Sequence, residues 1–268
     1  MKASILIDSE RPKVRTQEVI DKFNQAGIEH SEQNAEFGVV IGGDGVFSYF
    51  GRLEKIPLLF VGLRPQKPTG SRAHLAEVYF DELATALLDL KEGRYEVVEY
   101  PRAEVLLNGT SIGDVFTDVY VERGADSNCL RFLVITLGNG FGFTDLVIAN
   151  GVVVTTRAGS TGYYSYVDKV RLGDWFEPER HVIIGENELG VCYIVPTYSI
   201  REGTVEHPLR YTVPFDTQIQ IQLLREADAR LYGVAKDRSG IKVGLDDVVT
   251  IKASRRNTRV IKVAPHLK

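Results

Sequence analysis

The chain has 268 residues, 44% hydrophobic and 25% charged, an ordinary balance for a folded protein with chain enough for one large domain or two modest ones. A formal net charge of -4 excludes a whole-molecule cationic field, so neither nucleic acid nor membrane is an expected partner and a phosphate-bearing ligand has to be held locally. No run approaches the roughly 18 apolar residues of a membrane-crossing helix, the start of the chain lacks a signal-peptide core, and Cys129 and Cys192 are too few for a zinc cage, so a cytoplasmic protein with free thiols is expected.

The first third alternates strand and helix signals. Ser4 to Ile7 is a short apolar run that fits a buried strand, and Thr16 to Ala26 carries Val19, Ile20, Phe23 and Ala26 on one helical face. Gly27 stands where a helix cap belongs. A second extended segment follows, then a third strand at Phe37 to Ile41, a fourth bounded run at Pro57 to Gly62, and a helical pattern from Glu77 to Leu90 closed by Gly93. This order predicts a parallel sheet with helices on its faces, in which ligands sit beyond the C-terminal ends of the strands.

From Tyr95 onward the pattern changes to short runs rich in Val, Ile, Thr and Tyr: Asp118 to Glu122, Leu130 to Leu137, Leu146 to Thr156, Val191 to Val195, Thr217 to Leu224 and Val248 to Ala253. Turn signals at Asn108-Gly109, Asn139-Gly140, Asn150-Gly151 and Ser239-Gly240 punctuate them. The expected organisation is an α/β N-terminal domain with a parallel sheet over residues 1-97 and an all-β C-terminal domain over 98-268. The sequence leaves open whether the strand predicted at Thr258 to Val263 returns to the first domain.

Two strings carry the chemistry. The third strand runs into Gly42-Gly43-Asp44-Gly45, and apolar residues from Val46 onward open a helix. Glycines let the backbone approach a ligand closely, and N–H groups at a helix N-terminus hold phosphate oxygens. Asp44 then stands where a carboxylate can take a proton from an attacking hydroxyl or help to hold Mg²⁺. A simple Asp-Gly turn after a strand is the alternative reading. In the β-rich part, Thr155-Thr156-Arg157-Ala158-Gly159-Ser160-Thr161-Gly162-Tyr163 gathers hydroxyls around Gly159, suited to a ribose or adenine, although a Thr- and Gly-rich hairpin without a ligand has the same composition.

These two strings, in this order and about 110 residues apart, resemble those of the NAD kinase family. That family carries Gly-Gly-Asp-Gly-Thr in an α/β domain, then Asp-Gly and Ser-Thr-Pro-Thr-Gly-Ser-Thr-Ala-Tyr in a β-rich one, and His207 to Pro214 is similar to a further family stretch. The resemblance implies phosphoryl transfer from ATP or polyphosphate to the adenosine ribose 2′-hydroxyl of NAD, with Mg²⁺ carried by the nucleotide. It implies Asp44 as the base, Gly42, Gly43 and Gly45 at the phosphates, and Asp118, Asn150, Thr156, Arg157, Gly159, Ser160, Thr161, Tyr163 and His207 around the nucleotide. It also implies a homodimer or homotetramer.

The chain departs from the family pattern at several places. Val46 stands for Thr, Thr117-Asp118 for an Asn-Glu or Asn-Asp pair, Asn150 for Asp, and Arg157-Ala158 for Pro-Thr. These leave two other readings open: a nucleotide-binding regulator without turnover, and a kinase of another acceptor such as the related diacylglycerol kinases. Arg64, Lys67, Arg72 and Arg157 are further cations for a polyphosphate ligand or solvated surface residues, and Arg255, Arg256 and Arg259 read as a solvated strand edge.

Overall fold

The computed structural model describes residues 1–263 except 9, 11–12, 65–72, 169–181 and 236–238. Lys67 and Arg72 lie outside the described residues. The chain divides into two compact units, Met1–Tyr100 together with the chain from Asn257 onward, and Pro101–Arg256.

In the first unit the elements are β1 (Lys2–Ile7), α1 (Thr16–Ala26), β2 (Glu29–His30), β3 (Phe37–Gly42), α2 (Asp44–Leu53), β4 (Leu58–Gly62), β5 (Val78–Tyr79) and α3 (Leu83–Lys91). The strands pair in parallel, β2 with β1, β1 with β3, β3 with β4, and β4 with β5. Every residue of β3 and β4 is buried, as expected for parallel strands covered on both faces. Val19, Phe23 and Ala26 of α1 and Leu83, Ala86, Leu87 and Leu90 of α3 pack with Val39, Ile41, Leu59 and Val61 in one core. Phe47 of α2 stacks on Phe60 of β4 with centroids 4.7 Å apart. Gly27 ends α1 at φ 65°, a left-handed conformation that costs glycine nothing.

The helical pattern expected from Glu77 is corrected at its start. Val78 and Tyr79 pair with Val61 and Gly62 as β5, a short 3-10 turn covers Phe80–Glu82, and α3 begins only at Leu83. Glu82 explains the delay, because its carboxylate accepts the Tyr79 N–H at 2.8 Å and caps the turn there.

The second unit holds β6 (Tyr95–Leu107), which crosses the boundary, then β7 (Thr110–Val115), β8 (Asp118–Arg123), β9 (Leu130–Gly138), β10 (Phe141–Ala149), β11 (Gly151–Thr155), β12 (Glu188–Ile194), β13 (Tyr198–Arg201), β14 (Arg210–Pro214), β15 (Gln218–Leu223), β16 (Ala229–Tyr232), β17 (Ile241–Val243) and β18 (Val248–Val263). Two antiparallel sheets form. One runs β13-β10-β9-β15 to the first part of β18, the other β14-β12-β11-β8-β16-β17. Their inner faces share a core that includes Phe132, Val134 and Val147 from the first and Val119, Val121, Val152, Val154 and Val191 from the second.

The run from Leu146 to Thr156 forms two strands in different sheets, divided at the Asn150-Gly151 turn signal. Asn150 donates its N–H to the Ile194 carbonyl at 2.8 Å and accepts the Arg123 N–H at 2.9 Å, so its backbone is satisfied while the chain changes sheet. β18 is far longer than the run expected at Val248 to Ala253. Its last part belongs to the first unit, where Val260 stands beside Leu58 in parallel register and Ile261 and Val263 enter that unit's core.

Candidate functional site

The first string lies at the C-terminal end of β3. Gly43 caps α2 in extended conformation, its carbonyl accepting the Val46 and Phe47 N–H groups at 2.9 and 3.1 Å, and Asp44 is the first helical residue. A carboxylate there faces the positive end of the helix dipole. One oxygen of Asp44 accepts the Leu75 N–H at 2.9 Å, which ties the carboxylate to the segment returning toward β5. None of Gly42, Gly43 and Gly45 has a positive φ. What Gly42 supplies is space, because a Cβ there would stand 2.8 Å from the Val46 side chain, whereas Gly45 is exposed and faces open space. Gly42 therefore lets α2 pack closely on the end of β3, and Gly45 leaves the start of the helix open.

The second string is assembled on the end of β11 against β8. The Thr156 N–H donates to the Thr117 carbonyl at 2.8 Å, and its hydroxyl donates to the Phe116 carbonyl at 2.6 Å. The Ser160 hydroxyl donates to the Arg157 carbonyl at 2.7 Å and accepts the Ile184 N–H at 3.1 Å. Both side chains are buried, so these hydroxyls shape the backbone of the string. Gly159 is packed so tightly that a Cβ would fall 2.2 Å from the Thr155 hydroxyl and 2.9 Å from the Thr117 backbone. Thr161 is half-buried and its carbonyl accepts the Ser165 hydroxyl.

Asp118 is brought beside this string. Its carboxylate accepts the Thr117 hydroxyl at 2.9 Å and lies 3.6 Å from where a Cβ of Gly162 would be. Burial pushes its pKa above the ordinary aspartate value, with the Thr117 hydroxyl opposing. Tyr163 folds back along the sheet and donates its hydroxyl to Glu122 at 2.9 Å. Its ring meets Tyr120 edge-on at 5.4 Å, and Tyr120 stacks on Tyr232 at 5.1 Å. Burial, then the carboxylates of Asp118 and Glu122, push the Tyr120 hydroxyl up to about 12. Tyr120 and Glu122 are absent from the motif reading, yet a signal existed: Asp118, Tyr120 and Glu122 alternate along one strand and share a face.

Thr117, Asp118, Thr156, Gly159, Ser160 and Tyr163 thus converge. Of the remaining candidates, Arg157 belongs to the same turn but directs its side chain to Glu186, while Asn150 and His207 lie outside it. Asn150 is at the opposite end of β11 and its amide oxygen accepts the Cys129 thiol at 3.6 Å. Arg157 pairs with Glu186 at 2.9 Å, and His207 Nδ1 lies 2.5 Å from the Ser199 carbonyl on β13. Among the other cations, Arg64 is engaged by Asp81 and Glu82 at 3.1 and 3.2 Å, Arg256 by Asp114 at 2.7 Å, and Arg259 donates to the Lys55 carbonyl.

No family model matches the chain. Among curated proteins it is 26% identical over 143 residues to the NAD kinase of Thermoplasma acidophilum, a stretch covering 53% of this chain and about half, 49%, of that relative's length. It is 30% identical over 203 residues to the NAD kinase of Pyrococcus abyssi, covering 72% of this chain and 67% of the relative. Among solved structures, an NAD kinase from Archaeoglobus fulgidus in complex with ATP superposes with a TM-score of 0.64 at 16% identity, covering 98% of this chain and 94% of that one. This last likeness speaks to the fold.

Proposed function

The chain belongs to the NAD kinase family, and we propose on that premise that it transfers the γ-phosphoryl group of ATP to the adenosine ribose 2′-hydroxyl of NAD, giving NADP and ADP. The observation that carries this reading is the position of Asp44, a carboxylate at the N-terminus of α2 where β3 ends, held by the Leu75 N–H. In the reaction the 2′-oxygen forms a bond to the γ-phosphorus, the bond from that phosphorus to the β-bridging oxygen breaks, and Asp44 takes the hydroxyl proton. Mg²⁺ enters with ATP as part of the substrate and neutralises phosphate charge.

In this reading Gly43 and Gly45 leave the backbone open to phosphates, Gly42 lets α2 pack close behind them, and the α2 N-terminus favours their charge. Asp118 and the string from Thr156 to Tyr163 receive the nucleoside part. Thr156, Gly159 and Ser160 act by holding the shape of that string, and Thr161 and Tyr163 face the ligand. Asn150, Arg157 and His207 are assigned outer contacts. In the same reading the protein works in the cytoplasm as a homodimer or homotetramer, with ATP or polyphosphate as the donor. A diacylglycerol kinase-like acceptor is not favoured, because the relatives described above are NAD kinases.

The test is formation of NADP from NAD and MgATP by the wild type and by Asp44→Asn, repeated with polyphosphate. Product from the wild type and a loss of about 10²-fold or more in the variant is expected for removal of a general base. Tight binding of NAD or ATP by calorimetry with no product from the wild type would make the protein a nucleotide-binding regulator instead.

A further inference from the structure

We propose that Glu122 is a positioning residue for acceptor recognition, holding the Tyr163 ring in place through the Tyr163 hydroxyl; this rests on the phosphoryl-transfer reading above. The contact joins residues 41 apart in sequence and is 2.9 Å long. A hydrogen bond to an ionised carboxylate is about twice as strong as one between neutral groups.

Among the described residues, the cross-strand neighbours of Glu122 lack a side chain or are engaged elsewhere. On β11 its register partner is Gly151, which carries no side chain, and a Cβ there would fall 2.2 Å from the Val121 carbonyl. On β16 its partner is Arg230, whose guanidinium donates to Asp228 at 3.2 Å and to the Ser239 carbonyl at 3.1 Å. The Tyr163 ring is then braced edge-on by Tyr120 at 5.4 Å and by Tyr166 at 6.4 Å.

Tyr163 follows Thr161 and Gly162, and Gly162 lies beside the Asp118 carboxylate. The hydroxyl bond to Glu122 holds the far end of the ring in position, and the edge-on contacts of Tyr120 and Tyr166 then set its plane. A fixed aromatic plane next to a carboxylate offers a flat base or a ribose one geometry in place of several, which lowers the ordering cost of binding. Glu122 reaches the ligand through Tyr163 and does no chemistry itself.

The experiment compares wild type, Glu122→Ala, Glu122→Gln and Tyr163→Phe as full-length protein, reading KM for NAD and for ATP separately together with the melting temperature. Glu122→Ala and Tyr163→Phe are expected to raise KM for NAD about tenfold, as loss of one charge-assisted hydrogen bond implies, while KM for ATP stays within about twofold. Glu122→Gln keeps an acceptor oxygen and recovers most of the loss. Unchanged KM for NAD in folded Tyr163→Phe overturns the proposal, as does an equal loss toward both substrates with a lowered melting temperature. Should Glu122→Ala fail to fold, Tyr163→Phe decides alone. If the wild type makes no NADP, the phosphoryl-transfer reading falls; calorimetric NAD affinity then reads the same variants, and an affinity equal in wild type and Tyr163→Phe overturns the positioning role.

Discussion

Asp118 shows how stability and function pull on a single side chain. Its folded-state pKa lies above the ordinary value because burial penalises the carboxylate. The folded protein therefore binds this proton more tightly than the unfolded chain does, and between the two values stability falls as pH rises. Asp118→Asn removes the penalty. At pH 7 the variant should melt above the wild type, with the gap closing as pH drops below the ordinary aspartate range, while NAD binding weakens. Thermal melts from pH 3 to 8 check this, and a variant that melts lower at pH 7 would contradict it. Gly159 is the opposite case, a residue without chemistry whose replacement damages the string. A Cβ 2.2 Å from the Thr155 hydroxyl and 2.9 Å from Thr117 backbone cannot be accommodated by side-chain motion alone. Gly159→Ala should cost about 1–3 kcal/mol in urea denaturation, and an unchanged midpoint would show that the turn can shift.

At the level of elements, one buried ion pair and a tyrosine hydroxyl tie together three strands of the second unit. Asp145 of β10 is fully buried and receives Arg201 of β13 at 2.9 and 3.2 Å and the Tyr193 hydroxyl of β12 at 2.6 Å. Arg201 also lies over the Phe143 ring, 3.7 Å from its centroid. Because β10 and β12 belong to different sheets, the Tyr193 hydrogen bond to Asp145 links the two faces of the core. Removing one partner leaves the other charge without compensation, so Asp145→Ala should lose about 3–5 kcal/mol in denaturant unfolding. A loss under about 1 kcal/mol would mean that water replaces the carboxylate. The same reasoning explains why element boundaries differ from the sequence pattern. Tyr79 falls inside the helical pattern expected from Glu77 to Leu90, but pairing with Gly62 and capping by Glu82 hold it in a strand.

For the molecule as a whole, the decisive feature is that β18 serves both units. Its first part pairs with β15 and its last part lies beside β4, where Val260, Ile261 and Val263 are buried and Thr258 donates its hydroxyl to the Gly51 carbonyl. Lys262 adds a 3.0 Å pair with the buried Glu77. Each buried aliphatic side chain is worth about 1.5–3 kcal/mol, so ending the chain after Arg256 should remove on the order of 5 kcal/mol from the first unit. Hydrogen exchange should then quicken across α1 and α3 while β9 and β10 stay protected. Uniform exchange in both units would show that the last strand is dispensable for the first.

The sequence by itself determined the α/β-then-all-β order, α1 with its Gly27 cap, and the strand that ends at Gly42, because each is written in local periodicity and in residues with a distinct backbone preference. It also carried the two strings that identify the family, since those depend on residue type at close spacing. Tertiary structure alone decided that the strands on either side of Asn150 join different sheets, the return of β18 to the first unit, and the inward use of the Thr156 and Ser160 hydroxyls. It alone joined Tyr163 to Glu122. The physical reason is common to all of these: a hydroxyl or strand edge has the same local preferences whichever partner it meets, and that partner is chosen by packing between residues distant along the chain.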